Sequence, residues 1–182
     1  FSTLRMYGFL IIAALLTFCY AAMMIWYLYG WTMAKEFKLN SVQQNSFFSI
    51  IIPARNEEQN IQNILNDILI QDYPKDRFEI IVVDDFSEDK TCEIVKQFVQ
   101  PNIHLLEMKN LIEAKEQNSF KKQAISFAIQ KAKGNWIVTT DADCRINKNW
   151  LSSLNSFSQS ENLEMIAAPV LFQNERNGFE KM

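Results

Sequence analysis

Asp141 and Asp143 flank a single alanine directly after the apolar run Trp136 to Thr140. If the strand geometry persists there, carboxylates two residues apart point to the same side. Two hard oxygen donors at a strand end suit a divalent cation such as Mg2+ or Mn2+, which commonly shares its shell with substrate phosphates. Asp84 and Asp85 close a second apolar run, Phe78 to Val83. An acid in that position either ties a turn with Ser87 and caps the next helix, or accepts from ribose or base groups as in dinucleotide folds. A third polar cluster, Pro53 to Glu58, follows the run Phe47 to Ile52.

Other chemistries are excluded early. His104 is the only histidine, so His-based triads and His-rich metal sites are absent from this sequence. Cys19, Cys92 and Cys144 lie far apart, with no CxxC and no zinc or disulfide pattern. Neither GxGxxG nor GxxxxGK[ST] occurs, which removes the Rossmann fingerprint and the P-loop. A formal net charge of -3 argues against nucleic acid as a partner.

The elements that position these clusters alternate. Phe47 to Ile52 predicts a buried strand, and Asn56 predicts the N-cap of a helix with Glu57 and Glu58 in its first turn. Ile61, Ile64, Leu65, Ile68 and Leu69 repeat at helical spacing. Phe78 to Val83 is a second strand, and Cys92, Val95, Phe98 and Val99 mark a second helix. Ile103 to Met108 predicts a third strand; Ala124, Phe127, Ala128 and Ala132 a third helix that stops near Gly134. Trp136 to Thr140 is a fourth strand. Asn147 is expected to cap a helix with Leu151, Leu154 and Phe157 inward. Met165 to Phe172 reads as a fifth strand. Such alternation implies an α/β fold with a mostly parallel sheet covered on both faces. Ligands bind in these folds outside the carboxyl ends of the strands, where all three polar clusters fall.

Composition divides the chain of 182 residues. Arg5 is the only charged residue before Lys35, and 27 of the first 34 residues are hydrophobic. Tyr7 to Trp31 runs for 25 residues without a charge, enough for a membrane-spanning helix. Trp26, Tyr27, Tyr29 and Trp31 gather at one end as interfacial aromatics do. The expected organisation is a transmembrane helix at 1–34, a linker at 35–46 and one domain at 47–182. Lys35 and Lys38 after the helix, against Arg5 before it, favour a cell-membrane protein with its domain on the cytoplasmic side.

Taken jointly, four segments resemble glycosyltransferase family 2: Phe48-Ser-Ile-Ile-Ile-Pro-Ala-Arg-Asn-Glu-Glu58, Glu79-Ile-Ile-Val-Val-Asp-Asp-Phe-Ser-Glu-Asp-Lys-Thr91, Lys121-Lys-Gln-Ala-Ile-Ser-Phe-Ala-Ile129 and Gly134-Asn-Trp-Ile-Val-Thr-Thr-Asp-Ala-Asp143. The resemblance runs over roughly residues 47 to 172 and implies the GT-A fold. It implies an inverting, metal-dependent transfer of sugar from a nucleotide-sugar, by family frequency a UDP-sugar, to a lipid-linked or polysaccharide acceptor. It also implies roles. Pro53, Ala54, Arg55 and Glu57 touch the nucleotide base and ribose. Val83 and Asp85 sit where the base is recognised, with Asp85 its acceptor. Lys121 stands near the nucleotide pocket. Asp141 lies at the ribose and metal edge, and Asp143 binds Mg2+ or Mn2+ on the diphosphate.

Two departures touch the pocket rim. The family's glycine in VDDGS is Phe86 here, strained if that position needs positive φ, and the glycine of G-K-x-x-A is Phe120. The family's general base belongs to a motif well downstream of Asp143 and is expected beyond Met182, so the 182 residues alone are expected to transfer negligible sugar. A family 2 homologue that binds nucleotide without catalysis is the alternative. A haloacid-dehalogenase-like phosphatase and a receiver domain are remote ones, because Cys144 and Arg145 follow the acids and Ile103 to Met108 supplies no phospho-accepting aspartate.

Overall fold

The computed structural model describes residues 2–33, 43–110, 120–160 and 163–168. The chain divides into two compact units, Phe1–Lys38 and Leu39–Met182. The first holds α1 (Ser2–Met33), a helix of 32 residues. Its stretch Arg5–Met33 contains an 18-residue window with a mean hydropathy of 2.3 and no buried portion, so it is long and apolar enough to cross a membrane. At about 1.5 Å per residue it exceeds a hydrocarbon core of about 30 Å. The hydroxyls of Thr17 and Thr32 donate back to the carbonyls of Ala13 and Tyr29, so both are satisfied within the helix.

Among the described residues, the second unit is built on four parallel strands: β1 (Phe48–Ala54), β2 (Phe78–Asp84), β3 (Ile103–Glu107) and β4 (Trp136–Thr139), in the order β3-β2-β1-β4. The family-level expectation of a mostly parallel α/β sheet is met. β1 and β2 are apolar almost throughout because helices cover both of their faces. Phe48, Ile50, Ile52, Phe78, Ile80 and Val82 pack on one side with α2 (Ile61–Leu69), α3 (Thr91–Gln97) and α5 (Trp150–Ser160). Ile51, Ile81 and Val83 face the other way, onto Met108 and the alanines Ala124 and Ala128 of α4 (Phe120–Lys131). Small residues on α4 let that helix sit close to the sheet.

At the opposite end of the sheet from the acids, the second face turns polar. Ser49 and Glu79 are register partners and both are buried. Ser49 Oγ donates to Glu79 Oε1 at 2.6 Å, the Lys133 amide donates to the same oxygen at 2.6 Å, and the Gly134 amide donates to Ser49 Oγ at 2.8 Å. A Cβ on Gly134 would stand 2.6 Å from the Ser49 nitrogen and 2.8 Å from the Phe47 oxygen. Gly134, three residues past the end of α4, is therefore required by the close approach of the chain to β1.

Several boundaries differ from expectation. α2 begins at Ile61, with Asn60 before it, and Asn56 caps nothing; its φ is 56°. α3 ends at Gln97, and Val99 lies outside it at 88% exposure. Asn147 precedes α5 as an Asx turn, its Oδ1 accepting from the Asn149 amide, while the Asn149 carbonyl accepts the first intrahelical bond, from Ser153. Leu151 is buried as expected. Residues 163–168 form no strand, and the remainder of the expected fifth strand lies outside the described residues.

Candidate active site

β1 and β2 are aligned so that Ala54 faces Asp84, and their carboxyl ends coincide. The Asp85 amide donates to the Ala54 carbonyl at 2.9 Å, which carries the pairing one residue past the strands. On the other side of β1, the Thr140 amide donates to the Ile51 carbonyl at 3.2 Å. Three loops thus leave the sheet side by side. They enclose an open cleft of about 270 Å3 lined by Pro53, Ala54, Arg55, Glu57, Asp85, Asp141, Ala142 and Asp143.

Seven of the residues singled out in the sequence share this cleft: Pro53, Ala54, Arg55, Glu57, Asp85, Asp141 and Asp143. Val83 does not join them, because strand alternation buries its side chain beneath α4. Lys121 lies in the first turn of α4, and its side chain is outside the described residues. The strand geometry does not persist to the acids. β4 ends at Thr139, and Asp141 to Cys144 form a turn closed by the Cys144 amide on the Asp141 carbonyl at 3.3 Å. Asp141 and Asp143 nevertheless line one cleft, because Ala142 between them is buried in the core and both neighbours are exposed.

Asp85 is held in an unusual state for a loop acid. Its Oδ1 is buried and has no hydrogen-bond partner among the described residues. Burial pushes its carboxyl above the ordinary range, Arg55 pulls it back, and Asp84 adds to the rise. A buried acceptor left unpaired in a cleft wall is costly unless a ligand donor meets it. Asp84 beside it is fully buried, and its Oδ2 accepts from the Ser87 amide at 3.3 Å. Cys92 packs near Asp84, and burial first, then that acid, push its thiol up to about 12, which removes it as a nucleophile.

No group of three His, Cys, Asp or Glu among the described residues could cage a metal alone. Asp141 and Asp143 offer carboxylate oxygens only. Such a pair fits Mg2+ or Mn2+, which keep part of their shell for water and substrate phosphate, and does not fit zinc.

The residues that fix the cleft's shape were not legible as a motif. The Pro53–Glu58 loop is laced to the loop after β2. The Asn56 amide donates to Ser87 Oγ at 2.9 Å, the Glu57 amide to Thr91 Oγ1 at 2.8 Å and the Glu58 amide to Asp89 Oδ2 at 3.0 Å. In return the Glu88 amide donates to Asn56 Oδ1 at 2.9 Å and the Lys90 amide to Glu58 Oε2 at 3.1 Å. The expected capping of a helix by Asn56 and its acids is replaced by this exchange. Phe86, in the same turn, has φ 55°, so the conditional expectation of strain applies. Its ring packs against the second core, which offsets the backbone cost of about 1–2 kcal/mol.

A parallel sheet with carboxylates gathered at its carboxyl edge marks an α/β protein with its ligand site outside the strand ends, and likeness to solved glycosyltransferases makes the fold GT-A. The chain belongs to glycosyl transferase family 2, whose family profile matches residues 49–181. It is 34% identical over 134 residues to a glycosyltransferase, AglE, of Haloferax volcanii, a match covering 72% of this chain and 42% of that one. It is 31% identical over 122 residues to the poly(ribitol-phosphate) beta-N-acetylglucosaminyltransferase TarS of Staphylococcus aureus, covering 65% of this chain and 20% of the relative. The structure resembles S. aureus TarS in complex with UDP-GlcNAc, with TM-score 0.56, 27% identity and coverage of 71% and 38% of the two chains. It also resembles a mannosyltransferase from Pyrobaculum calidifontis in complex with GDP-Man and Mn2+, with TM-score 0.60, 25% identity and coverage of 75% and 39%. The chain thus spans less than half the length of these relatives.

Proposed function

We propose that this chain carries the donor-binding part of an inverting glycosyltransferase that moves sugar from a UDP-sugar to a lipid-linked or polysaccharide acceptor. The observation that carries the reading is the meeting of Arg55, Glu57, Asp85, Asp141 and Asp143 in one cleft at the carboxyl edge of the sheet. Asp85 accepts from the base, Arg55 and Glu57 border base and ribose together with Pro53 and Ala54, and Lys121 approaches the nucleotide from α4. Val83 acts through its backbone, its side chain being buried beneath α4. Asp141 and Asp143 hold Mg2+ or Mn2+, and Asp141 also borders the ribose. When bound, the ion supplies Lewis-acid neutralisation of the departing nucleoside diphosphate. The UDP-GlcNAc and Mn2+ complexes of similar proteins support the donor class and the metal.

In this reading the apolar helix α1 anchors the domain in the cell membrane, and Lys35 and Lys38 after it in sequence, against Arg5 before it, favour a domain on the cytoplasmic side. This placement suits a lipid-linked or surface-glycan acceptor.

The test is calorimetric titration of the full chain in detergent with UDP, in Mn2+ and in EDTA. Affinity is expected to rise with Mn2+, and Asp143→Asn to remove about 10-fold or more of that rise. An unchanged metal-dependent affinity in Asp143→Asn refutes the metal assignment.

A further inference from the structure

Asp67 lies on α2, outside the cleft lining, 76 residues before Asp143 in sequence. It is only 7% exposed, and a buried carboxylate needs donors. All three side-chain contacts come from the two residues that follow the cleft acids and Cys144. Arg145 Nε donates to Oδ2 at 2.6 Å and Arg145 Nη2 to Oδ1 at 2.9 Å, a bidentate fork. The Ile146 amide donates to Oδ2 at 3.2 Å.

The segment just after α2 continues the attachment. Gln71 Nε2 donates to the Asn147 carbonyl at 2.7 Å, and Gln71 Oε1 accepts from the Leu151 amide at 3.0 Å. The Asp72 amide donates to the Lys148 carbonyl at 2.8 Å. On its other side, the acid-bearing turn is tied to β1 through Thr140 and Ile51. Between these two attachments Ala142 is sunk in the core. Asp141 and Asp143 are therefore exposed side chains on a short turn fixed at both ends.

Exposed carboxylates on a turn do not by themselves keep the spacing a cation requires. Ion sites lose affinity when the groups that orient their ligands are removed. Here the groups available for that task are Asp67 on α2 and Gln71 and Asp72 just after it, and the Arg145 guanidinium grips Asp67 with a rigid planar fork that a lysine cannot reproduce.

We propose that the Asp67–Arg145 pair is a positioning device that holds the Asp141–Asp143 turn in the geometry needed for a divalent cation and a diphosphate. The inference rests on the metal reading of Asp141 and Asp143 given above. Neither Asp67 nor Arg145 touches the ligand in this arrangement. Arg145 commits Nε and Nη2 to Asp67, and Asp67 is turned away from solvent.

The experiment titrates the full chain in detergent with UDP, once in excess Mn2+ and once in EDTA, and melts each variant thermally. Asp67→Asn and Arg145→Gln are expected to cut the Mn2+-dependent gain in affinity by about 10-fold or more. Affinity in EDTA is expected to stay within about twofold, since the base and ribose contacts belong to other loops. Arg145→Lys keeps the charge without the fork. It is expected to melt close to the parent and to lose part of the gain, and it carries the test if another variant does not fold. A full Mn2+ gain in folded Asp67→Asn or Arg145→Lys overturns the proposal. Equal losses in Mn2+ and EDTA overturn it as well, because they mark a role in folding alone. If direct phosphate binding by Arg145 were the truth, Arg145→Gln would weaken binding while Asp67→Asn would not. Absence of any Mn2+ gain in the parent chain removes the metal reading itself, and the pair's role with it.

Discussion

Asn56 and Glu88 are joined through the side chain of the first and the backbone of the second, Oδ1 accepting the amide at 2.9 Å across a gap of 32 residues. The Asn56 amide in turn donates to Ser87 Oγ. This exchange explains why Asn56 takes a φ of 56°. Asparagine tolerates the left-handed region better than other non-glycine residues, and in that region its side chain reaches the next loop. The wall carrying Arg55 and Glu57 is thereby fixed to the wall carrying Asp85.

Substitution of Asn56 separates the two contributions. Asn56→Gly loses the hydrogen bond and keeps the backbone conformation, so it is expected to lower stability by about 1 kcal/mol. Asn56→Ala loses the bond and also places a Cβ in the left-handed region, for a total of about 2 kcal/mol. Denaturant unfolding of both variants checks the order. Alanine equal to or better than glycine would contradict the role assigned to the backbone.

The strands were legible because β1 and β2 are apolar apart from Ser49, Glu79 and the terminal Asp84, and a run buried on both faces needs no partner to be recognised. The helical face Ile61, Ile64, Leu65 and Ile68 was legible for the same reason, its spacing being local. Asn56 was misread because a capping signature and an inter-loop contact use the same residue types, and only the fold brings Ser87 and Glu88 to it. Asp67 and Glu79 carried no signal. Each is a charged residue in an otherwise ordinary segment, and its partners lie 78 and 54 residues away at Arg145 and the Lys133 amide. The cleft acids were legible in kind, yet their exposure in common depends on Ala142, whose burial no spacing rule states.

Asp67 also gives the fold an acid-sensitive contact. The hydrogen bond from Arg145 holds its carboxyl below the usual range, against the opposing effect of burial. A depressed folded-state value means that the pair's stabilisation is fully present above the unfolded value of about 3.9. It is lost as pH falls through the lower folded value. Parent and Asp67→Asn are therefore expected to differ by about 1–3 kcal/mol at neutral pH. The difference persists down to about pH 4 and shrinks only below it. Melting curves from pH 7 to pH 2 measure this; a difference already gone at pH 5 would contradict the direction of the shift.

Asp85 titrates in the opposite sense, and that separates its role from the role of Asp143. Burial raises its carboxyl above the ordinary range, with Arg55 opposing and Asp84 assisting. Asp85 therefore takes up a proton at higher pH than a solvated aspartate does. If its unpaired Oδ1 receives a donor from the base, protonation weakens UDP binding whether or not a metal is present. Asp85→Asn is expected to lower UDP affinity by about 10-fold or more, equally in Mn2+ and in EDTA, since a hydrogen bond to a charged acceptor contributes about 1.5–3 kcal/mol. The same variant is expected to flatten the acid limb of the affinity measured in EDTA, where the parent's affinity falls as pH drops from 7 to 4. An identical acid limb in parent and variant would assign that limb to another group. A loss confined to Mn2+ would move Asp85 from the base to the metal, and the cleft would then have three carboxylates serving one end of the donor.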